Sequence, residues 1–123
     1  MDAGLEAVIA AETILSDVNG LEGQLIIRGH SLDQLVQTAR FEDVLALLWH
    51  DFFETNLTSA VIGKRLGLAR LAAFERLNLV PKINAIETLR IGYCLCPDGD
   101  DLDQALALVA TSAVVILIRQ ILI

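Results

Sequence analysis

Apolar and polar positions along the first third of the chain change period at Ser31. Ile14, Leu15 and Val18 precede Asn19–Gly20, and Leu25, Ile26 and Ile27 follow Gly23. Asn-Gly is a strong short-range turn signal, because it tolerates the positive φ angles that a tight hairpin demands. The second glycine at once offers a longer loop or a bulge instead. The unbroken Leu25–Ile27 run suits a strand covered on both faces. A hairpin over residues 13–28 is therefore predicted, with Gly29 ending its return strand.

From Ser31 onward the period is helical. Ser31 followed three residues later by Gln34 is a capping-box pattern, and Leu32, Leu35 and Val36 form the inner side of a short helix. Phe41, Val44, Leu45, Leu48 and Trp49 repeat at helical spacing, which predicts a helix over "FEDVLALLWHDFF". Its acids Glu42 and Asp43 sit in the first turn, where the helix dipole favours them.

A longer helical region follows a cap at Thr55–Asn56 and runs to Leu77. Leu57, Val61, Leu68, Leu71 and Ala72 share one side, while Ile62, Leu66, Ala73 and Leu77 make a second apolar side. A helix wet on one whole face does not look like that. Gly63 and Gly67 permit close backbone approach, and two shorter helices joined near Gly67 are the alternative reading. Pro81 opens the next helix, with Ile83, Ile86, Leu89 or Arg90, and Tyr93 on successive turns. "PDGDD" is a turn, and Asp101 or Asp103 caps a last helix that reaches the apolar "RQILI". Such an ending is expected to be covered by a continuation or a partner. The fold class is mainly α: one helical domain over residues 1–123 with a small N-terminal β-hairpin.

Composition sharpens this picture. The hydrophobic fraction is 54%, above the roughly 45–50% of ordinary soluble domains, which again implies a covered surface. The longest apolar run, Ala105–Ile118, is 14 residues and ends at Arg119. A spanning helix needs about 20, so a core or interface helix is expected, and no membrane partner. Membrane association through this run is the weakest reading. The N-terminus lacks a charged start followed by an apolar stretch, so a cytoplasmic location is expected. Nine Lys and Arg against 16 Asp and Glu leave a net charge of −7. With few aromatic residues to stack on bases, nucleic acid is not expected as a partner.

Candidate chemistry is sparse. Cys94 and Cys96 stand in "YCLC", and His30 and His50 lie in unrelated segments, so no metal-ligand spacing appears. Asp17, Asp43 and Asp51 have no sequence neighbour that would raise a carboxyl pKa.

One resemblance organises these features. "AAETILSDVNGLEGQLIIRGHSLDQL", followed by "FEDVLALLWH", resembles the N-terminal segment of the citrate synthase family. That family's pattern there is T-x-L-S-x-V-D-G-x-x-G-x-L-x-x-R-G-Y/H, then F-E-E-V and an aliphatic run. Thr13, Leu15, Ser16, Val18, Gly20, Gly23, Leu25, Arg28 and Gly29 fall on it, as do Phe41, Glu42 and Val44, while Asn19 replaces the usual Asp. "PKINAIETL" is similar to the family's P-M-D-A-L-R-T segment, with Asn84 and Glu87 as departures. "ALALVATSAVVILIRQ" is similar to the helix that follows, without its proline.

The resemblance implies a small hairpin on a helical protein, dimeric and several times longer. It also implies a transferase of the tricarboxylic acid cycle type, condensing acetyl-CoA or a related acyl-CoA with oxaloacetate. That chemistry needs a base carboxylate, histidine donors and arginines for the dicarboxylate. The family supplies them from glycine- and histidine-rich segments that this sequence does not contain. His30 falls where the family often has an aromatic residue, and His50 at the end of a packing helix. No catalytic, cofactor-binding or metal-binding residue is carried over, and no cofactor is expected on this segment. Two roles follow: part of a condensing enzyme, inactive by itself and completed by a catalytic chain, or a non-catalytic self-associating or regulatory module. The second expects a homo-oligomer with Leu57, Val61, Leu68 and Val114–Ile118 buried between chains.

Overall fold

The computed structural model describes residues 13–53, 56–80 and 83–121. The chain divides into two compact units, Met1–Leu48 and Trp49–Ile123. The described part is mainly helical, with a small sheet near the N-terminus.

The first unit holds β1 (Ser16–Asn19), β2 (Gln24–Ile27), β3 (His30–Ser31), α1 (Leu32–Thr38) and α2 (Phe41–Leu48). The strands form one antiparallel sheet in the order β1-β2-β3, with Ser16 opposite Ile27 and Asn19 opposite Gln24. Four residues, 20–23, thus join β1 to β2, and the longer loop replaces a two-residue Asn-Gly turn. Asn19 closes it from the strand end: its Oδ1 accepts from Glu22 N at 3.3 Å and its Nδ2 donates to Glu22 Oε2 at 3.1 Å. The positive φ falls on Gly23, at 64°.

The two-residue turn lies elsewhere. Ile27 pairs with His30 across Arg28 (φ 47°) and Gly29 (φ 82°). Two consecutive positive φ angles are what a type I′ connection requires. The return strand therefore does not end the sheet but folds back into a third, short strand. Arg28 tolerates its uncommon backbone while anchored at both ends. Its N–H donates to Leu15 O at 2.9 Å, and its Nη2 reaches Leu48 O, on the last residue of α2, at 3.5 Å. A cation there complements the negative end of the helix dipole.

Ser31 caps α1 through the expected reciprocal pair. Its Oγ accepts from Gln34 N at 3.3 Å, and Gln34 Oε1 accepts from Ser31 N at 3.2 Å. Packing is weaker than the pattern predicts: Leu35 is half-buried, but Leu32 and Val36 are exposed. Leu25, Ile26 and Ile27 are half-buried, and Leu45 is the one buried side chain among the unit's described residues. The helix begun at Phe41 stops at Leu48 instead of continuing to Phe53. Asp51 adopts φ 68°, which a continuing helix cannot accommodate.

The second unit holds α3 (Ser59–Leu77), α4 (Ala85–Cys94) and α5 (Leu102–Ile121). Thr58 caps α3, its Oγ1 accepting from Val61 N at 3.3 Å. It takes the place of the expected Thr55–Asn56 cap, of which Thr55 lies outside the described residues. The helix runs unbroken through Gly63 and Gly67. Ile62, Leu66, Ala73 and Leu77 face the core, whereas Leu68 and Leu71 face outward.

Asn84 Oδ1 accepts from Glu87 N at 2.9 Å and caps α4. Pro81 lies outside the described residues. The inward side of α4 is Thr88 and Gly92, while Ile86 and Tyr93, which recur on successive turns, are exposed. The reason is close helix approach: a Cβ on Gly92 would stand 2.8 Å from Thr111 Cγ2 and 3.0 Å from Leu77 Cδ2. Asp101 caps α5, accepting from Asp103 N at 2.7 Å and Gln104 N at 3.1 Å.

α5 packs on both α3 and α4. It contributes Leu102, Leu106, Ala107, Ala110, Thr111, Val114 and Val115 to the core. Val114 and Val115 are thus buried within the unit and not held for another chain, while Ile116 and Leu117 are exposed. Among the described residues, no helix is long and apolar enough to cross a membrane. The terminal Leu122 and Ile123, and the side chains of residues 119–121, lie outside what is described.

Candidate functional site

The titratable residues that the sequence offers for chemistry are dispersed. In the first unit, His30 is exposed on β3, beside the Arg28–Gly29 turn. Asp17 is exposed on β1. Asp43 closes the N-terminal turn of α2, where its Oδ2 accepts from Arg40 N at 2.8 Å and lies 3.5 Å from Arg40 Nε. In the second unit, His50 Nδ1 stands 2.8 Å from Asp51 Oδ2, and both side chains are largely in solvent.

The two cysteines part company. Cys94 is exposed at the end of α4, while Cys96 is half-buried. Cys96 Sγ donates to Gly92 O at 3.4 Å and lies 3.3 Å from Thr111 Oγ1, which itself donates to Ala107 O at 2.8 Å. This thiol ties the end of α4 to the middle of α5. Among the described residues, no group of three or more His, Cys, Asp or Glu could hold a metal ion.

One concavity of the second unit lies where α4 turns into α5. A cleft of about 350 Å³ is lined by Phe53, Tyr93, Pro97, Asp100, Gln104 and Leu108, among others. Tyr93 Oη and Ser112 Oγ share a hydrogen bond of 2.7 Å across the two helices. Asp101, also on this wall, is already engaged as the α5 cap. A neighbouring cleft brings Arg65 close to Asp100, Asp101 and Asp103, with Arg65 Nη1 3.4 Å from Asp103 Oδ1.

Neither cleft is lined by a histidine. Enolate formation from a thioester needs a base, a neutral donor for the enolate oxygen and a fixed electrophile in one place. These walls offer carboxylates, a phenol and one arginine already paired with a carboxylate. The arrangement can hold helices together and receive a polar group. The Tyr93–Ser112 and Cys96–Thr111 pairs had no signal in the sequence, since their partners are 19 and 15 residues apart and obey no local spacing rule.

Comparison with known proteins bears on the family alone. The family model described as "Citrate synthase, C-terminal domain" matches residues 4–118. The citrate synthase of Haloferax volcanii is 44% identical over 53 residues, which are 43% of this chain and 14% of that protein. The chain thus aligns with about a seventh of the relative's length. No solved structure matches the chain. A match over 4–118 leaves only a few residues at either end unaccounted for, and it embraces both the sheet and all of the helices except the last turn of α5: the chain belongs to the citrate synthase family.

Proposed function

We propose that this chain is the N-terminal part of a citrate synthase-type enzyme that condenses an acyl-CoA with oxaloacetate. By itself it is inactive, and a polypeptide carrying the remaining segments completes it. The observation that carries this reading is the combination of family membership over residues 4–118 with an alignment to only 14% of a citrate synthase. The matching family model is named for a C-terminal domain; the N-terminal placement rests on the hairpin-then-helices order and its T-x-L-S motif.

In this reading the chain is scaffold. The exposed Ile86, Leu108, Ile116 and Leu117 of α4 and α5 are covered by the completing chain or by a second subunit. Burying one such side chain contributes roughly 1.5–3 kcal/mol. The acyl-CoA is a substrate of the completed enzyme, this segment binds no cofactor of its own, and the assembly works in the cytoplasm.

The test is release of free CoA from acetyl-CoA and oxaloacetate, followed with a thiol reagent. The exposed Cys94 adds one fixed equivalent, which a no-substrate blank removes. The chain alone gives no turnover, and turnover appears when a polypeptide bearing the family's histidine segments is added. Full activity of that second polypeptide without this chain would refute the proposal.

A further inference from the structure

The Asn19–Gly20 pair is a turn signal that the fold leaves unused. The loop takes its positive φ at Gly23, and Gly20 does not adopt one. A Cβ on Gly20 would meet nothing within 4 Å. Neither backbone conformation nor space therefore requires glycine at this position. The pair has a second property, which is chemical.

Asn19 is the last residue of β1, and the β1–β2 ladder ends at its pairing with Gln24. Residues 19–22 are all exposed. Two bonds frame the Asn19 amide: Oδ1 accepts from Glu22 N at 3.3 Å, and Nδ2 donates to Glu22 Oε2 at 3.1 Å. The carbon between them, Cγ, is an electrophile, and attack by the backbone nitrogen of Gly20 closes a small ring. An intramolecular attack of this kind enjoys a high effective concentration. Glycine hinders it least, because no Cβ flanks its nitrogen. The Glu22 N–H already stands at Oδ1, where negative charge gathers as the nitrogen adds.

We propose that Asn19 is a self-modification site, at which the chain converts its own asparagine to aspartate or isoaspartate. The Gly20 nitrogen gives its proton to solvent and bonds to Asn19 Cγ. The Cγ–Nδ2 bond then breaks, and Nδ2 takes up a proton and leaves as ammonia. Water opens the resulting cyclic imide: addition at Cγ yields aspartate, and addition at the backbone carbonyl carbon yields isoaspartate. One water enters and one ammonia departs.

The product undoes the clamp. A carboxylate oxygen replaces the Nδ2 that donated to Glu22 Oε2, so two carboxylates meet across that contact and repel. Isoaspartate also routes the backbone through Cβ, beside the Asn19–Gln24 pair. The loop over residues 20–23 therefore opens as the protein ages. This chemistry does not depend on catalytic completion of the chain.

Peptide mapping by mass spectrometry provides the test, on the whole folded chain held in mildly alkaline buffer at body temperature. Labelling by an isoaspartate methyltransferase reports the isomer. Conversion is expected at residue 19 about tenfold or more faster than at Asn78 and Asn84, which leucine and alanine follow. Gly20→Ala, which the open space admits, is expected to slow it about tenfold with an unchanged circular dichroism spectrum. Asn19→Asp stands for the product, and amide exchange across residues 20–25 is expected to quicken several-fold. Adding Glu22→Gln, a neutral partner for the new carboxylate, is expected to reverse that gain. The proposal is overturned if Asn19 converts no faster than Asn78 and Asn84, or if Gly20→Ala converts at the parent's rate. Unchanged exchange in Asn19→Asp overturns the opening of the loop.

Discussion

The two units have comparable secondary structure per residue but unequal interiors. The second seals Ile62, Leu66, Leu106 and Val115 completely, between helices 19, 10 and 20 residues long. The first buries Leu45 among its described residues, still 7% exposed, and leaves Ile14, Val18, Leu32, Val36 and Phe41 exposed. Its order comes from local bonds: the Asn19–Glu22 loop closure, the Ser31–Gln34 box and the Arg40–Asp43 turn. Each such hydrogen bond contributes about 1 kcal/mol net, whereas each buried leucine contributes roughly 1.5–3 kcal/mol. The contrast shows that well-capped elements and a stable interior are separate achievements.

The hardest blow to the second unit is Leu106→Ala. Leu106 is wholly buried, and such truncations cost about 2–5 kcal/mol. Urea unfolding followed by circular dichroism at 222 nm should show the loss of midpoint. A cost below about 1 kcal/mol would mean that the contrast between the units is overstated.

Next comes Gly92→Ala. Helix propensity favours alanine by about 0.5–1 kcal/mol. The new Cβ, however, would stand 2.8 Å from Thr111 Cγ2 and 3.0 Å from Leu77 Cδ2, and overpacking costs about 1–3 kcal/mol. The clash wins, so net destabilisation is expected. Adding Thr111→Ser, which removes the methyl, should restore much of the loss in the same unfolding experiment.

Gly29→Ala probes the first unit, because φ 82° is strained for any side chain. About 1 kcal/mol is expected, confined to faster amide exchange across β2 and β3. Spread of that effect into α3 and α5 would show the two units unfolding as one.

The smallest effect belongs to Leu68→Ala. Leu68 lies two residues from the buried Leu66 on the same helix but is 60% exposed. Stability should stay within about 0.5 kcal/mol of the parent in the same urea unfolding experiment; a larger loss would mean that the outward side of α3 is packed after all.

Much of the architecture is legible in the chain. The hairpin, the Ser31–Gln34 cap, an aspartate cap for the last helix and the helical character of the elements after Ser31 all follow from signals that span a turn or less. So does the family, through the dense motif from Thr13 to Gly29. No candidate site could be read from spacing, because the Tyr93–Ser112 and Cys96–Thr111 pairs join residues far apart in the chain.

What the sequence determined by itself is the local conformation, since a cap or a turn is a bond between residues about three positions apart. It left α3 with two apolar sides and no means of choosing between them. Only packing against α5 decided that Ile62, Leu66, Ala73 and Leu77 go inward. Packing likewise placed Thr88 and Gly92, and not Ile86 and Tyr93, on the inner side of α4, because the smallest side chains let two helix backbones come closest. Burial is a property of the neighbour as much as of the residue, and the neighbour is set by the tertiary fold.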